Sequence, residues 1–354
     1  MKIFFFGSDY PPTGGGISTH TREWLSAISQ DVDGKARIFG NKEPRIEKVG
    51  NIEIKTGKSV NFFWVGVITK WSMWFHRDYD VFHAFNLFPV GFWTVLCAKI
   101  FGKKSALTFY GADACDRRTS KKVLWMQKWA IKNATWCIAI SEFTKQKVME
   151  RYGIPGENIH VIHPILPQFE KGGEKKKESD FNVLSVSRLV KRKGIEYLIE
   201  AISKLSDQSI KLLIVGGGPE RENLENLSKK LHLEGRITFT GRVPELASYY
   251  KFADISALVS YIIEEEGDFE GLGLVLLEAQ SYGLPVIGTR SGGIPETFEN
   301  GKTGILVPEK NAQAIADAIM KIKNGTFADP REFLEREFGK EATVVKYLKL
   351  ICSK

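Results

Sequence analysis

Short runs of β-branched and aromatic residues alternate along this chain with longer stretches of helical character, and the alternation runs through twice. The first series is KIFFFGS (2–8), KARIFG (35–40), YDVFHAF (79–85), SALTFYG (105–111), TWCIAIS (135–141) and IHVIHP (159–164). The second is FNVLSVSRL (181–189), IKLLIVGGG (210–218), RITFTGRV (236–243), ISALVS (255–260), LPVIGT (284–289) and GILVP (304–308). A strand followed by a segment long enough for a helix, repeated, predicts parallel sheets with helices on their faces. Between the two series lie Pro164, Pro167 and the polar stretch KGGEKKKESD (171–180), which cannot supply a core and reads as a linker.

The expected organisation is therefore a Rossmann-like domain over 1–168, a linker over 169–180 and a second Rossmann-like domain over 181–330. A helical tail over 331–354 follows, for which packing back on the first domain is the candidate arrangement. A length of 354 residues fits two domains better than one. Two such domains leave a cleft where the carboxyl ends of both sheets can face a ligand, the default active site. Cys97, Cys115, Cys137 and Cys352 are far apart and include no C-x-x-C pair, which argues against a disulfide framework or a structural zinc site and fits a reducing cytoplasm. The apolar start is too short for a signal peptide and reads as the first strand. The hydrophobic stretches 59–75 and 81–101 are interrupted by Lys70, His83, Asn86, Pro89 and Lys99 before a spanning length accumulates.

The most specific motif lies in EEEGDFEGLGLVLLEAQSYGLPVIGTRSGGIPE (264–296). Glu270 and Glu278 stand eight apart, and Gly271-Leu272-Gly273 opens the helix that should carry Glu278. A glycine-rich turn at a helix N-terminus presents free backbone N–H groups to an anion. This resembles the E-x7-E signature of retaining glycosyltransferases of family 4, which have the GT-B fold; Pro285 and Gly292-Gly293-Ile294-Pro295-Glu296 resemble its continuation. The resemblance implies that Glu270 takes hydrogen bonds from sugar hydroxyls and Glu278 from ribose hydroxyls. Arg188 to Gly194, after a strand, resembles the family's Arg-x4-Lys-Gly element. Arg188 and Lys193 are then the cations that stabilise a departing diphosphate, in place of a metal.

Gly14-Gly15-Gly16 with His20 matches the family's N-terminal G-G-x-x-x-H pattern, so Gly15 and Gly16 are expected to let the backbone approach the donor. Gly216 and Val243 stand where the family contacts the nucleotide. The chain departs from the family at Tyr110-Gly111-Ala112-Asp113, where a His-Gly-x-Asp is common. A tyrosine donates a hydrogen bond but is no base at neutral pH, which puts a catalytic role of Tyr110 in question. His20, His83 and Asp113 are the acceptor-side candidates, with a buried structural role the alternative for His83. The D-x-D triplets Asp31–Asp33 and Asp78–Asp80 precede strands in polar turns and read as turns, not as metal ligands.

The net charge of +8 is confined to residues 1–170, with 23 Lys+Arg against 15 Asp+Glu, while 171–354 carry 27 of each. All eight tryptophans, Trp24 to Trp136, also precede residue 171. In the helix expected near 119–136, Val123, Met126, Ala130 and Ala134 share a face that should pack on the sheet. Lys121, Trp125, Lys128 and Lys132 share the opposite one, with Arg117 and Arg118 close by. That face can lie on an anionic bilayer, or be an ordinary solvated helix. The aromatic stretch Phe62, Phe63, Trp64, Trp71 and Trp74 is a second membrane candidate that could instead be core. No nucleic-acid module is present.

Together these imply a metal-independent, retaining glycosyltransferase without a cofactor. The expected donor is GDP-mannose, with UDP-sugars close behind, and the acceptor is a lipid-linked or saccharide hydroxyl. The expected location is cytoplasmic, with the inner membrane face as a candidate site of peripheral attachment. A non-catalytic partner subunit and a GT-B nucleotide-sugar epimerase are the alternatives.

Overall fold

The apolar N-terminal run forms β1 (Lys2–Gly7), whose Ile3, Phe4, Phe5 and Phe6 are buried on both faces, as a central parallel strand requires. In the computed structural model, which describes residues 1–11, 16–41, 44–111, 115, 119–166 and 180–353, β1 lies inside an eight-stranded sheet. Its other members are β2 (Asp33–Ile38), β3 (Ile46–Val49), β4 (Ile52–Thr56), β5 (Val81–Ala84), β6 (Lys104–Phe109), β7 (Trp136–Ala139) and β8 (Ile159–Val161). The order is β3-β4-β2-β1-β5-β6-β7-β8. Every pairing is parallel except β3–β4, an antiparallel hairpin turned by Gly50 and Asn51, with Gly50 at φ +52°. These two strands were not expected from the alternation.

The helices of this unit are α1 (Gly16–Ile28), α2 (Phe62–Phe75), α3 (Phe92–Ile100), α4 (Lys121–Asn133) and α5 (Glu142–Tyr152). Asn61, Ser120 and Ser141 cap α2, α4 and α5 by accepting the N–H of the residue three further on. Glycine at position 66 lets α2 approach α3: a Cβ there would meet the Trp93 indole at 2.5–2.7 Å. The Trp93 Nε1 donates to the Phe62 carbonyl at 2.9 Å. As expected, Met126 and Ala130 of α4 are buried, while Lys121, Trp125 and Lys132 are exposed. Arg117 and Arg118 lie outside the described residues.

The second sheet contains β9 (Phe181–Val186), β10 (Ile210–Val215), β11 (Ile237–Gly241), β12 (Ile255–Leu258), β13 (Val286–Thr289) and β14 (Gly304–Val307), all parallel, in the order β11-β10-β9-β12-β13-β14. Its helices are α6 (Ile195–Lys204), α7 (Arg221–Lys230), α8 (Ala247–Phe252), α9 (Leu274–Ser281) and α10 (Ala312–Asn324). Apolar faces of α6 and α10 bury Ile195, Leu198, Ile202, Ile315 and Ile319 in one cluster, and Tyr250, Leu276 and Ala279 of α8 and α9 belong to another. The sheet is doubly wound, and its strand order reverses between β9 and β12.

The chain divides into two units, one of Met1–Pro167 with Glu337–Lys354 and one of Gln168–Arg336, so the boundary falls inside α11 (Pro330–Phe338). The last helix, α12 (Lys346–Cys352), belongs to the first unit. Its Tyr347 is fully buried, with its ring edge-on to Trp24 (centroids 5.2 Å apart) and its hydroxyl 2.8 Å from His83 Nδ1. Lys340 pairs with Asp31 at 2.9 Å, and Lys2 bonds Asp78 through its side chain and Asp80 through its backbone. Three of the four aspartates of the D-x-D triplets are thus engaged in ion pairs or turns, and Asp33 opens β2.

His83 is buried with Thr108 Oγ1 2.8 Å from its Nε2, so both ring nitrogens are occupied and none is left for an acceptor. Burial pushes its pKa down to about 3, which keeps the ring neutral. Tyr347→Phe leaves one buried imidazole nitrogen without a partner and is expected to lower stability by about 1–3 kcal/mol. Urea denaturation followed by far-UV circular dichroism checks this; an unchanged midpoint would remove the tail's polar anchor from the account.

Candidate functional site

The site is built at the strand reversal of the second unit, from the loops that follow β9 and β12. The loop after β9 runs through Arg188 into a 3₁₀ turn, Lys191–Lys193, and ends on Gly194 at φ +64°. A Cβ at Gly194 would sit 2.3 Å from the Val259 carbonyl oxygen, so the turn can lie against the end of β12 only as glycine. The Tyr261 N–H donates to the Arg192 carbonyl at 2.8 Å. The two loops are joined at the backbone before any side chain is considered.

Their side chains meet at Glu270. One carboxylate oxygen, Oε2, accepts from Arg192 Nη1 at 2.8 Å, from Lys193 Nζ and from Ser260 Oγ at 3.4 Å. Arg192 Nε stands 3.0 Å from Asp268 Oδ1. Arg192 and Lys193 are each only 8% exposed. Burial alone would raise the Glu270 pKa, but Lys193 and Arg192 beside it bring it down to about 2. Burial lowers Lys193 from its ordinary value, with Glu270 opposing. Two buried cations and two carboxylates balance within this cluster.

Arg188 stands apart from it. It is exposed and forms no ion pair among the described residues, so its charge is available to a ligand. Of the two cations expected from the sequence, Lys193 joins Glu270 and Arg188 does not. Arg192, Asp268 and Ser260 were not anticipated.

The turn ahead of α9 is held from behind. The Gly293 N–H donates to the Glu270 carbonyl at 2.9 Å, and a Cβ at Gly292 or Gly293 would come within 2.1 or 2.2 Å of the carbonyl oxygen of Glu270 or Gly271. Gly271, Leu272 and Gly273 are buried. Gly273, at φ +103°, occupies the cap position of α9, with no side-chain cap and no acidic residue in the first turn. The first turn of α9 thus contributes no negative charge of its own to the positive end of the helix dipole. Glu278, on α9, accepts the Tyr250 hydroxyl at 2.9 Å; burial raises its pKa and that hydrogen bond opposes the rise.

Gly216, at φ +143°, could carry no side chain: its Cβ would be 1.8 Å from the Ser187 carbonyl oxygen. It supports the Ser187–Leu189 segment from below, and the Leu189 N–H donates to the Gly217 carbonyl at 3.1 Å. Val243 is half-buried against the α8–α9 core.

In the first unit, Tyr110 follows β6 directly and is buried, its hydroxyl 2.7 Å from His20 Nδ1 on α1. Burial brings the His20 pKa to about 3, so its imidazole is neutral. Gly16 opens α1 and is exposed. Gly15 and Asp113 lie outside the described residues. Among the described residues no three His, Cys, Asp or Glu side chains gather to hold a metal.

Comparison with known proteins agrees with this architecture. The family model for glycosyl transferases group 1 matches residues 168–342, and that for glycosyltransferase family 4 matches residues 14–166. Together they take in nearly the whole chain, which belongs to these glycosyltransferases and has their GT-B fold. A GDP-mannose-dependent alpha-(1-6)-phosphatidylinositol monomannoside mannosyltransferase of Mycobacterium tuberculosis is 39% identical over 197 residues. That match takes in 52% of this chain, and the chain spans only 51% of that relative's length. An N-acetyl-alpha-D-glucosaminyl L-malate synthase of Bacillus anthracis is 28% identical over 75% of this chain and 69% of its own. Anabaena HepE in complex with UDP and glucose superposes with a TM-score of 0.78 over the whole of both chains at 18% identity, a likeness of fold.

A depressed Glu270 pKa adds stability that is fully present above the ordinary glutamate value and is lost as pH falls from there towards about 2. The wild type should therefore lose urea resistance over that window. Glu270→Gln should be weaker at pH 7, by about 3–5 kcal/mol for an uncompensated buried charge, and should show a flatter acid profile. Parallel acid profiles for the two proteins would contradict the pairing.

Proposed function

We propose that this glycosyltransferase moves a mannosyl residue from GDP-mannose to a hydroxyl of a lipid-linked or saccharide acceptor, with retention of anomeric configuration and without a bound metal. The observation that supports this most is the ion pair of Lys193, in a loop that also carries the exposed Arg188, with Glu270 on the turn that leads into α9. Cleavage of the C1–O bond leaves negative charge on the diphosphate, and fixed cations with oriented N–H dipoles stabilise it as it develops. Lys193 has three N–H donors, one directed to Glu270, which leaves donors for a phosphate oxygen. Arg188 supplies a second cation, which forms no ion pair with a carboxylate among the described residues.

In this reading the sugar's C1 bonds to the acceptor oxygen on the face the phosphate leaves, and the acceptor proton passes to the departing phosphate oxygen. No strong base from the protein is then needed. Glu270, held anionic, accepts from sugar hydroxyls through its other oxygen, and Glu278 accepts from the ribose. Gly216 and Val243 line the nucleotide. Tyr110, oriented by neutral His20, hydrogen-bonds the sugar. GDP-mannose is the donor named for the Mycobacterium relative, whose phosphatidylinositol mannoside acceptor motivates a lipid-linked one here. A cytoplasmic enzyme attached to the inner membrane face fits that acceptor.

Arg188→Ala and Lys193→Ala are each expected to reduce turnover of GDP-mannose by roughly two to three powers of ten, as for removal of one charge-stabilising donor, with folding kept in Arg188→Ala. Near-normal turnover in Arg188→Ala would remove it from leaving-group stabilisation. Activity should persist in excess EDTA, and a loss restored by Mg²⁺ or Mn²⁺ would show a metal-dependent transfer. Tyr110→Phe should lower turnover modestly. A loss as deep as that of Arg188→Ala would make this tyrosine central.

A further inference from the structure

We propose that the outer face of α2, α3 and α4 is a docking surface for an anionic lipid bilayer, with α2 as the element that enters the interface. The inference deepens the membrane part of the proposed function and rests on it. It is carried by observations that the transfer chemistry does not use.

Helix α2 is inside out for a helix of a water-facing domain. Its inner face against the unit consists of Val65, Gly66, Thr69, Ser72 and Met73, mostly small or polar. Its outer face carries Phe63, Trp64, Trp71, Trp74 and Phe75, each more than half exposed. At 3.6 residues per turn these five fall in an arc of about 120°, interrupted by no acidic residue. The sequence left open whether this aromatic stretch was core or surface, and its burial pattern places these side chains on the surface.

The face continues onto its neighbours. Helix α3 packs beside α2 and α4 beside α3. Ile100 at the end of α3 and Trp125 on α4 are each 64–65% exposed. Of the ten large hydrophobic side chains exposed among the described residues, seven lie on these three helices. A patch of this kind on a soluble surface marks a site of association.

Charge selects the partner. The three helices contain no aspartate or glutamate and carry Lys70, Lys99, Lys121, Lys122, Lys128 and Lys132. Of these only Lys128 is half-buried, and the rest are exposed. Arg77, just past α2, lays its guanidinium over the Trp74 ring at 3.6 Å. Indole rings with a hydrocarbon body and an N–H, ringed by lysines and free of carboxylates, suit the boundary between acyl chains and anionic headgroups. A second copy of the chain would bring the same six lysines against themselves. No helix among the described residues is long and apolar enough to cross a membrane, so attachment through this face would lie in the interface plane.

The test is co-sedimentation of the full chain with vesicles of phosphatidylcholine alone or with phosphatidylglycerol, together with the wavelength of tryptophan emission. Binding to the anionic vesicles, a blue shift on binding and weaker binding at high salt are expected. Trp71→Ser/Trp74→Ser/Phe75→Ser should weaken partitioning by about tenfold or more, since it removes the inserted area. Lys121→Glu/Lys122→Glu should weaken binding to the anionic vesicles and lose most of the salt dependence. Because all these residues are exposed, native circular dichroism should be kept. No binding at low salt, or equal binding by the aromatic variant, overturns the proposal. So does a wild-type dimer that the aromatic variant converts to monomer without any vesicle binding. Turnover on a water-soluble acceptor reads the transfer reaction separately, so failure of docking and failure of that reading give different results.

Discussion

The carboxylate of Glu270, held between Lys193 and Arg192, is the interaction on which the rest of the second unit depends. A parallel doubly wound sheet sends the loops after β9 and β12 in opposite directions, and the gap between them is where a ligand can enter. Left alone, two such loops would drift apart. Here a buried ion cluster draws them together, and glycines at 194, 216, 292 and 293 remove the atoms that would keep their backbones apart. Burying these charges is expensive, and a well-packed apolar substitute would hold the loops as firmly. Under the proposed function, the cluster keeps a fixed cation, Lys193, beside the turn ahead of α9.

The two units divide the remaining work by chemistry. The second unit, Gln168–Arg336, carries 23 Lys+Arg against 26 Asp+Glu, and its Arg188 is exposed with no ion pair among the described residues. The first unit carries the whole excess of positive charge and every tryptophan. Some of those tryptophans are structural: Trp24 packs between His20 and Tyr347, and Trp93 seats α2 on α3. Others, Trp64, Trp71, Trp74 and Trp125, face outward and are each more than half exposed. Tyr110 is drawn into the same interior network through His20, whose Nδ1 stands 2.7 Å from its hydroxyl.

Much of this was legible in the sequence, for physical reasons that differ from place to place. The twelve expected strand segments all contain strands because a buried parallel strand must be apolar throughout and is flanked by turn residues. The β3–β4 hairpin was missed because its alternation is short and polar, although Gly50-Asn51 is a hairpin dipeptide. Glu270 and Lys193 were picked out through the resemblance of their motifs to glycosyltransferase family 4, and the structure brings their side chains together. Arg192 was not, because in a run of Lys191-Arg192-Lys193 nothing but the pitch of the 3₁₀ turn decides which cations face inward. The aromatic face of α2 could have been assigned from the wheel alone, since the opposite face offers Gly66, Thr69 and Ser72 in place of a core-forming stripe.

The measurement that tests the central claim most directly is calorimetric titration of GDP and GMP into the wild type, Arg188→Ala and Lys193→Ala. If these cations serve the diphosphate, both variants should bind GDP at least about tenfold more weakly, as expected for loss of a charge-assisted hydrogen bond, while GMP affinity changes little. GDP affinity that stays at the wild-type value in folded variants would contradict the account, because the ion cluster would then be holding the loops for something other than a nucleoside diphosphate.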